Sequence, residues 1–350
     1  MPLLARTIAA PVAIEVRPGA VGSLAPLMAD GRISSGGKVA IAVGPGRGDA
    51  IAADLRDSLP DATMVRISGG SVEAAQQLIA ELRQDYHDAL VGIGGGRTLD
   101  AAKYAASLLG LPFVSVPTTL THDGIASPVA SLESFGRKAS FGVHIPIAVF
   151  VDIDHVRDAP VEHTRSGVGD VLSNLSAIAD WELARDVRGE PVDGLAVSLA
   201  RTAAEALLGL APDDDRFLTV LAEALVLSGI AMAVAGSSRP CSGACHEISH
   251  AIDALYGGPA LHGAQVALGA RFATWLRGDE AGFARLDAAL RTHGLPRHPE
   301  DLGLTRDQFV AAVAEAPATR PDRITILEHL ALDPTRLDEV VDEFCATVDR

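Results

Sequence analysis

The alternation of short apolar runs with helical patterns over residues 38–152 most restricts what this 350-residue chain can fold into. Apolar runs at 38–43, 63–67, 89–93, 113–116 and 147–152 are separated by helical patterns at 49–58, 71–83 and 97–109. Such alternation reads as βαβ crossovers, which require a parallel sheet. The first half is therefore expected to be α/β. After residue 152 strand signals stop, and helical periodicity runs through 166–187, 192–210, 215–235, 245–256 and 263–275. A proline-punctuated tail adds 280–293, 305–314, 322–331 and 334–348. The boundary falls near 152–159. This predicts an α/β nucleotide-binding domain at 1–155 and an all-α domain at 156–350, without internal repeats or low-complexity tracts.

Composition narrows the function. With 48% hydrophobic residues the chain can bury a large core, so a disordered chain is not expected. Forty-five acids against 29 bases give a formal charge of −16, a field that repels nucleic acid and anionic membranes. Cys241, Cys245 and Cys345 are too few for a disulfide framework and fit a reducing compartment. The first twenty residues lack a charged and then apolar leader, and no apolar stretch approaches the ~20 residues that span a bilayer. A cytoplasmic protein with no membrane span is expected.

Four constellations carry chemistry. Gly92 to Asp100 (GIGGGRTLD) follows one strand and opens a helix. Its glycines let backbone N–H groups approach an anion at a helix N-terminus, the arrangement that receives a dinucleotide pyrophosphate; the plainer reading is a tight turn. A second loop, Gly44 to Gly48 (GPGRG), suits the adenosine end, with Arg47 either meeting a 2'-phosphate or simply solvated. Pro117 to Pro128 (PTTLTHDGIASP) sets hydroxyls and a carboxylate at the carboxyl end of a strand, where open α/β sheets bind ligands; the same residues also serve as turn formers.

The fourth lies in the helical half: Asp170, His246, His250 and His262. His246 and His250 are four apart, hence on one helix face. Two imidazoles with one carboxylate and an open position make a catalytic divalent-metal site. The spacing of Cys241 and Cys245 matches no zinc pattern, so both read as small buried apolar residues.

These motifs resemble the sn-glycerol-1-phosphate dehydrogenase family, within the iron-containing alcohol dehydrogenase and dehydroquinate synthase-like superfamily. Gly94 to Asp100 with Ala102-Lys103 is similar to the superfamily's nucleotide motif; Ser115 to Thr118, His122 to Pro128, and Ser228 to Gly243 resemble the glycerol-1-phosphate branch. The likeness is scattered over about residues 38–270. It implies a dehydroquinate synthase-like fold and NAD(P) contacts at Gly95, Gly96, Arg97, Thr98, Thr118, Thr119 and Ser127. It also implies substrate contacts at Asp123, Asp170 and His250, and one divalent metal, Zn2+ first with Ni2+ or Fe2+ as alternatives, on Asp170, His246 and His262. The chemistry implied is reduction of a small phosphorylated ketone, dihydroxyacetone phosphate, to sn-glycerol 1-phosphate, by a homo-oligomer. One position departs: where such enzymes more often carry an acidic residue before the metal-binding histidine, this chain has Cys245.

Two other reactions fit the motifs. A dehydroquinate synthase-like cyclase would need several cations for a highly anionic substrate, yet no lysine follows Lys138. A polyol dehydrogenase would accept unphosphorylated alcohols. For a substrate phosphate, Arg137, Lys138, Arg239 and helix N-termini are the candidates.

Overall fold

A computed structural model describes residues 8–30, 33–134 and 136–348. The chain divides into two compact units at Ala159/Pro160.

The first unit contains β1 (Ala13–Arg17), α1 (Leu24–Met28), β2 (Val39–Val43), α2 (Arg47–Asp54), β3 (Thr63–Arg66), α3 (Val72–Leu82) and β4 (Ala89–Gly94). It continues with α4 (Gly96–Leu109), β5 (Phe113–Pro117), β6 (Val129–Ser134), β7 (Arg137–Gly142), β8 (Ala148–Asp152) and α5 (Ile153–Val156). Six strands form a wholly parallel sheet in the order β1-β8-β5-β4-β2-β3. Every residue of β2, β4, β5 and β8 is buried, which is why these strands read as continuous apolar runs. From β2 the chain steps outward to β3, then returns to place β4 on the other side of β2. The order therefore reverses between β2 and β4, and both glycine loops leave the sheet there, where such sheets take ligands.

Two strand elements escape the sequence reading. Edge strand β1 (AIEVR) mixes charged and apolar residues because, among the described residues, only one neighbour, β8, pairs with it. The antiparallel hairpin β6–β7 turns only Ala130 and Leu132 fully inward from β6, too small a signal to stand out.

The second unit is helical: α6 (Val161–Leu172), α7 (Asn174–Arg188), α8 (Gly194–Leu208), α9 (Phe217–Ala235), α10 (Ala244–Tyr256) and α11 (His262–Leu276). Then follow α12 (Glu280–Thr292), α13 (Arg306–Glu315), α14 (Ile326–Leu330) and α15 (Pro334–Cys345). The single helix expected at 166–187 is two helices. They part at Ser173, whose hydroxyl bonds Asp170 O at 2.8 Å in competition with the backbone. The helix expected at 322–331 shrinks to α14, because Thr325 and Glu328 form a capping box that starts it late and leaves a turn before it.

The expectation that no apolar stretch nears bilayer length is also corrected. Helix α9 has 19 residues, with Glu223 its one charge, and is long and apolar enough to cross a membrane by length and composition. Here 56% of its apolar window is buried within the unit, and Ser228 on it accepts from Asn174 Nδ2 at 2.8 Å. A helix packed on several sides loses its polar stripe.

Candidate active site

In the first unit, the turn after β4 leaves room beside the N-terminus of α4. Gly95 is its N-cap, no side chain caps the first turn, and that turn holds no acidic residue, so nothing local cancels the helix-end charge. A Cβ on Gly95 would stand 3.4 Å from Thr119 Oγ1, and one on Gly96 would collide with the His122 ring. This cradle fits a pyrophosphate approached by backbone N–H groups. Thr98 N–H donates to Gly95 O at 3.0 Å and Thr118 N–H to Gly94 O at 2.9 Å, which gathers Gly95, Gly96, Thr98, Thr118 and Thr119. Arg97 is exposed, with its stem over Gly70. The second glycine loop joins them through Gly44 N–H to Ile93 O at 2.9 Å. Arg47 pairs instead with Asp158 at 3.0 Å.

Lys103 fastens the 122–128 loop to α4. It is completely buried, and its Nζ donates to Gly124 O at 2.6 Å and Ser127 O at 3.2 Å, with Asp100 Oδ1 at 3.4 Å. Burial pushes its pKa down against the opposing pull of Asp100 and Asp123. Asp123 opens a short 3-10 turn. Ser127 is 1% exposed and its hydroxyl donates to Val129 O at 3.4 Å, so it faces into its own loop. His122 accepts from Gly124 N–H at Nδ1 (3.0 Å), which leaves the proton on Nε2, the atom nearest Gly96. The sequence reading passed over His122 and Lys103 as site residues, although both lie inside the motifs.

In the second unit, three helices supply the metal-type side chains. Asp170 lies on α6, His246 in the first turn of α10, and His262 opens α11. Glycines beside two of these residues let α6 and α11 meet: a Cβ on Gly169 would strike Gly263 O, and one on Gly263 would strike Ser166 O. Asp170 Oδ1 stands 3.8 Å from Nε2 of both His246 and His262, and the three ligand atoms lie within 4.8 Å of one another. One carboxylate and two imidazoles at this spacing fit a divalent cation with a position left open. His250 lies beside both rings, at centroid distances of 6.3 Å from His246 and 6.4 Å from His262. Burial, then repulsion from His262, His250, Arg323 and Arg320, pulls the His246 pKa well down, so the ring is neutral and able to ligate.

The outer hydrogen bonds fix which nitrogen ligates. Gln265 Nε2 donates to Asp253 Oδ1 at 3.1 Å and Ala260 O at 3.0 Å, so its Oε1 must accept from Ser249 Oγ at 3.2 Å. Ser249 Oγ then accepts from His262 Nδ1–H at 3.1 Å, leaving the Nε2 lone pair toward Asp170. At His246, Nδ1 meets Cys245 Sγ at 3.3 Å. Cys241 and Cys245 are both buried as expected, and burial first raises the Cys245 thiol to about 12, so it stays protonated. Neither serine nor glutamine carries a ligand signature, so the sequence reading missed this chain of donors. Ser249→Ala is expected to weaken divalent-metal affinity about 10- to 100-fold in competition with a chelating dye; an unchanged affinity would remove Ser249 from the site.

Residues 15–160 match the family model described as iron-containing alcohol dehydrogenase. The chain is 38% identical over 298 residues to a glycerol-1-phosphate dehydrogenase [NAD(P)+] of Archaeoglobus fulgidus, covering 82% of this chain and 84% of that protein. A protein of the same name from Thermococcus kodakarensis is 35% identical over 304 residues, covering 85% and 86%. The fold matches the crystal structure of a probable glycerol dehydrogenase from Sinorhizobium meliloti 1021, with a TM-score of 0.78, 23% identity and coverage of 98% and 99%. The fold is thus that of the iron-containing alcohol dehydrogenases. Within that class, the chain belongs to the glycerol-1-phosphate dehydrogenase family.

Proposed function

We propose that this chain is an NAD(P)- and metal-dependent oxidoreductase that interconverts dihydroxyacetone phosphate and sn-glycerol 1-phosphate. The observation that carries the reading is the Asp170, His246 and His262 group, intact in a chain 38% identical to a protein of that name. When bound, the nicotinamide supplies the hydride and the cation polarises the ketone, a contribution of several kcal/mol.

The chain's own groups do the rest. Asp170, His246 and His262 hold the cation, zinc in the first instance. Gly95, Gly96, Arg97, Thr98, Thr118 and Thr119 hold NAD(P), His122 Nε2–H adds a donor over the helix end, and Ser127, turned into its own loop, shapes that loop rather than touching the nucleotide. Asp123 orients a substrate hydroxyl, and His250 relays the proton. One ketone, one reduced nucleotide and one proton become one secondary alcohol and one oxidised nucleotide. A phosphorylated small-molecule substrate, a homo-oligomeric assembly and a cytoplasmic setting belong to the same reading.

The test is oxidation of NADH and NADPH by zinc-, nickel- or iron-loaded protein with dihydroxyacetone phosphate, beside unphosphorylated dihydroxyacetone. Turnover of the phosphorylated ketone alone, to a product inert to an sn-glycerol-3-phosphate-specific dehydrogenase, is expected. Equal turnover of both ketones would make the chain a polyol dehydrogenase, and turnover of neither would overturn the reading.

A further inference from the structure

A dianionic substrate in a chain of charge −16 needs positive charge at its seat. Of the cations that the sequence offers, Arg239 is already committed: it is buried, pairs with both carboxylate oxygens of Glu190 and donates to Ile324 O at 3.1 Å. Arg137 and Lys138 lie exposed on β7 in the first unit. The unit that carries the metal-type ligands holds another pair, which no motif announced.

Arg323 donates from Nη1 to Ser242 O at 2.6 Å and Ser242 Oγ at 3.1 Å, and from Nη2 to Ser238 Oγ at 2.6 Å. Ser242 precedes Gly243, the N-cap of α10, and His246 N–H donates to Gly243 O at 3.0 Å. The guanidinium is thus fixed against Ser242, four residues before the metal-type ligand His246. Its three bonds all go to neutral groups, which leaves two of the five N–H groups of an arginine fork for a ligand. Arg320 stands on the same turn, tied by Arg323 N–H to Arg320 O at 2.9 Å, and is half-buried.

Among the described residues no carboxylate lies within ion-pair distance of either arginine. The acids that act on Arg323 from farther away have nearer hydrogen-bond partners, Glu190 in Arg239 and Glu247 in the Thr325 hydroxyl. Both arginines act electrostatically on His246. Burial, with repulsion from Arg320 and Arg239, pushes Arg323 down to about 10 against the opposing pull of Glu247 and Glu190.

We propose that Arg320 and Arg323, beside the N-terminus of α10, form the subsite that receives the phosphate group of the substrate. The proposal rests on the phosphorylated-ketone reading above and says which residues enforce it. Arg323 is pre-set by Ser238 and Ser242 to present its planar fork, and Arg320 supplies the second charge. The phosphate would then lie at the end of α10 that carries His246, where both arginines already act on that ring.

Two measurements on zinc-loaded protein test it: calorimetric binding of inorganic phosphate, and KM for dihydroxyacetone phosphate. Arg320→Ala is expected to weaken phosphate binding and raise KM about 30- to 100-fold, the scale of a lost charged hydrogen-bonding partner. Arg320→Lys should recover most of the phosphate affinity, and Arg336→Ala, an exposed arginine on α15, should bind phosphate like the unaltered chain. Wild-type phosphate affinity in Arg320→Ala, or an equal loss in Arg336→Ala, overturns the subsite. Should the unaltered chain bind phosphate in an Arg320-dependent way yet not turn over dihydroxyacetone phosphate, the subsite stands and the substrate reading falls.

Discussion

His246→Ala is expected to release the divalent cation and lower turnover of the phosphorylated ketone by about 10³-fold or more. Among the described residues His246 supplies one of three ligand atoms, so its removal leaves Asp170 and His262, a pair that cannot close around a cation. Loss of several kcal/mol of charge stabilisation, at 1.36 kcal/mol per tenfold, gives that scale of rate loss. Metal content by elemental analysis should fall well below one equivalent, and chelator should lower the melting temperature of the unaltered chain but not of the variant. His250→Ala is the informative contrast. It stands close to the same two rings without belonging to the ligand group, so it should keep its metal while losing turnover. A His246→Ala protein that retains one equivalent at unaltered affinity would show that the three side chains do not form the metal site.

What was legible in the sequence follows from how each signal is generated. The parallel sheet could be read because β2, β4, β5 and β8 are buried on both faces and must be apolar throughout. Edge strand β1 and the hairpin β6–β7 meet weaker demands and leave weaker traces. Candidate metal ligands were legible because His246, His250 and His262 crowd one stretch of the helical half, although His250 lies outside the group that Asp170, His246 and His262 form. Ser249 and Gln265 are not, since their role lies in the direction of a hydrogen bond that only the packing of α10 against α11 determines. Arg239 shows the converse. Its motif drew attention to it, but Glu190, 49 residues earlier, decides that its charge is already taken. Arg320 and Arg323 reach the same corner from a segment where no motif was found, brought there by the turn before α14.

Asp287→Asn is expected to cost about 3–5 kcal/mol, because it leaves a buried guanidinium without its carboxylate. Arg271 is completely buried, donates through Nε to Asp287 Oδ1 at 2.7 Å, and stands 4.8 Å from the ring centroids of Phe283 and Phe344. Arg297 binds both oxygens of the same carboxylate at 2.8 and 2.9 Å, and Arg291 adds a contact at 3.1 Å. Burial by itself would raise the Asp287 pKa, but the hydrogen bonds from Arg297 and Arg271 outweigh it and hold the group at about 2. The sign of the pH dependence follows. A carboxyl at about 2 when folded and 3.8 when unfolded stabilises the fold above 3.8, and that contribution disappears as the pH falls through 2. The gap between the unaltered chain and Asp287→Asn should therefore be full at pH 5 to 7 and narrow between about pH 4 and pH 2. For a unit of this size the melting temperature should drop by roughly 10 °C at neutral pH. Thermal melts at pH 7 and pH 3 read both effects, and a variant melting within about 2 °C of the unaltered chain at pH 7 would mean that Arg271 finds another counter-ion.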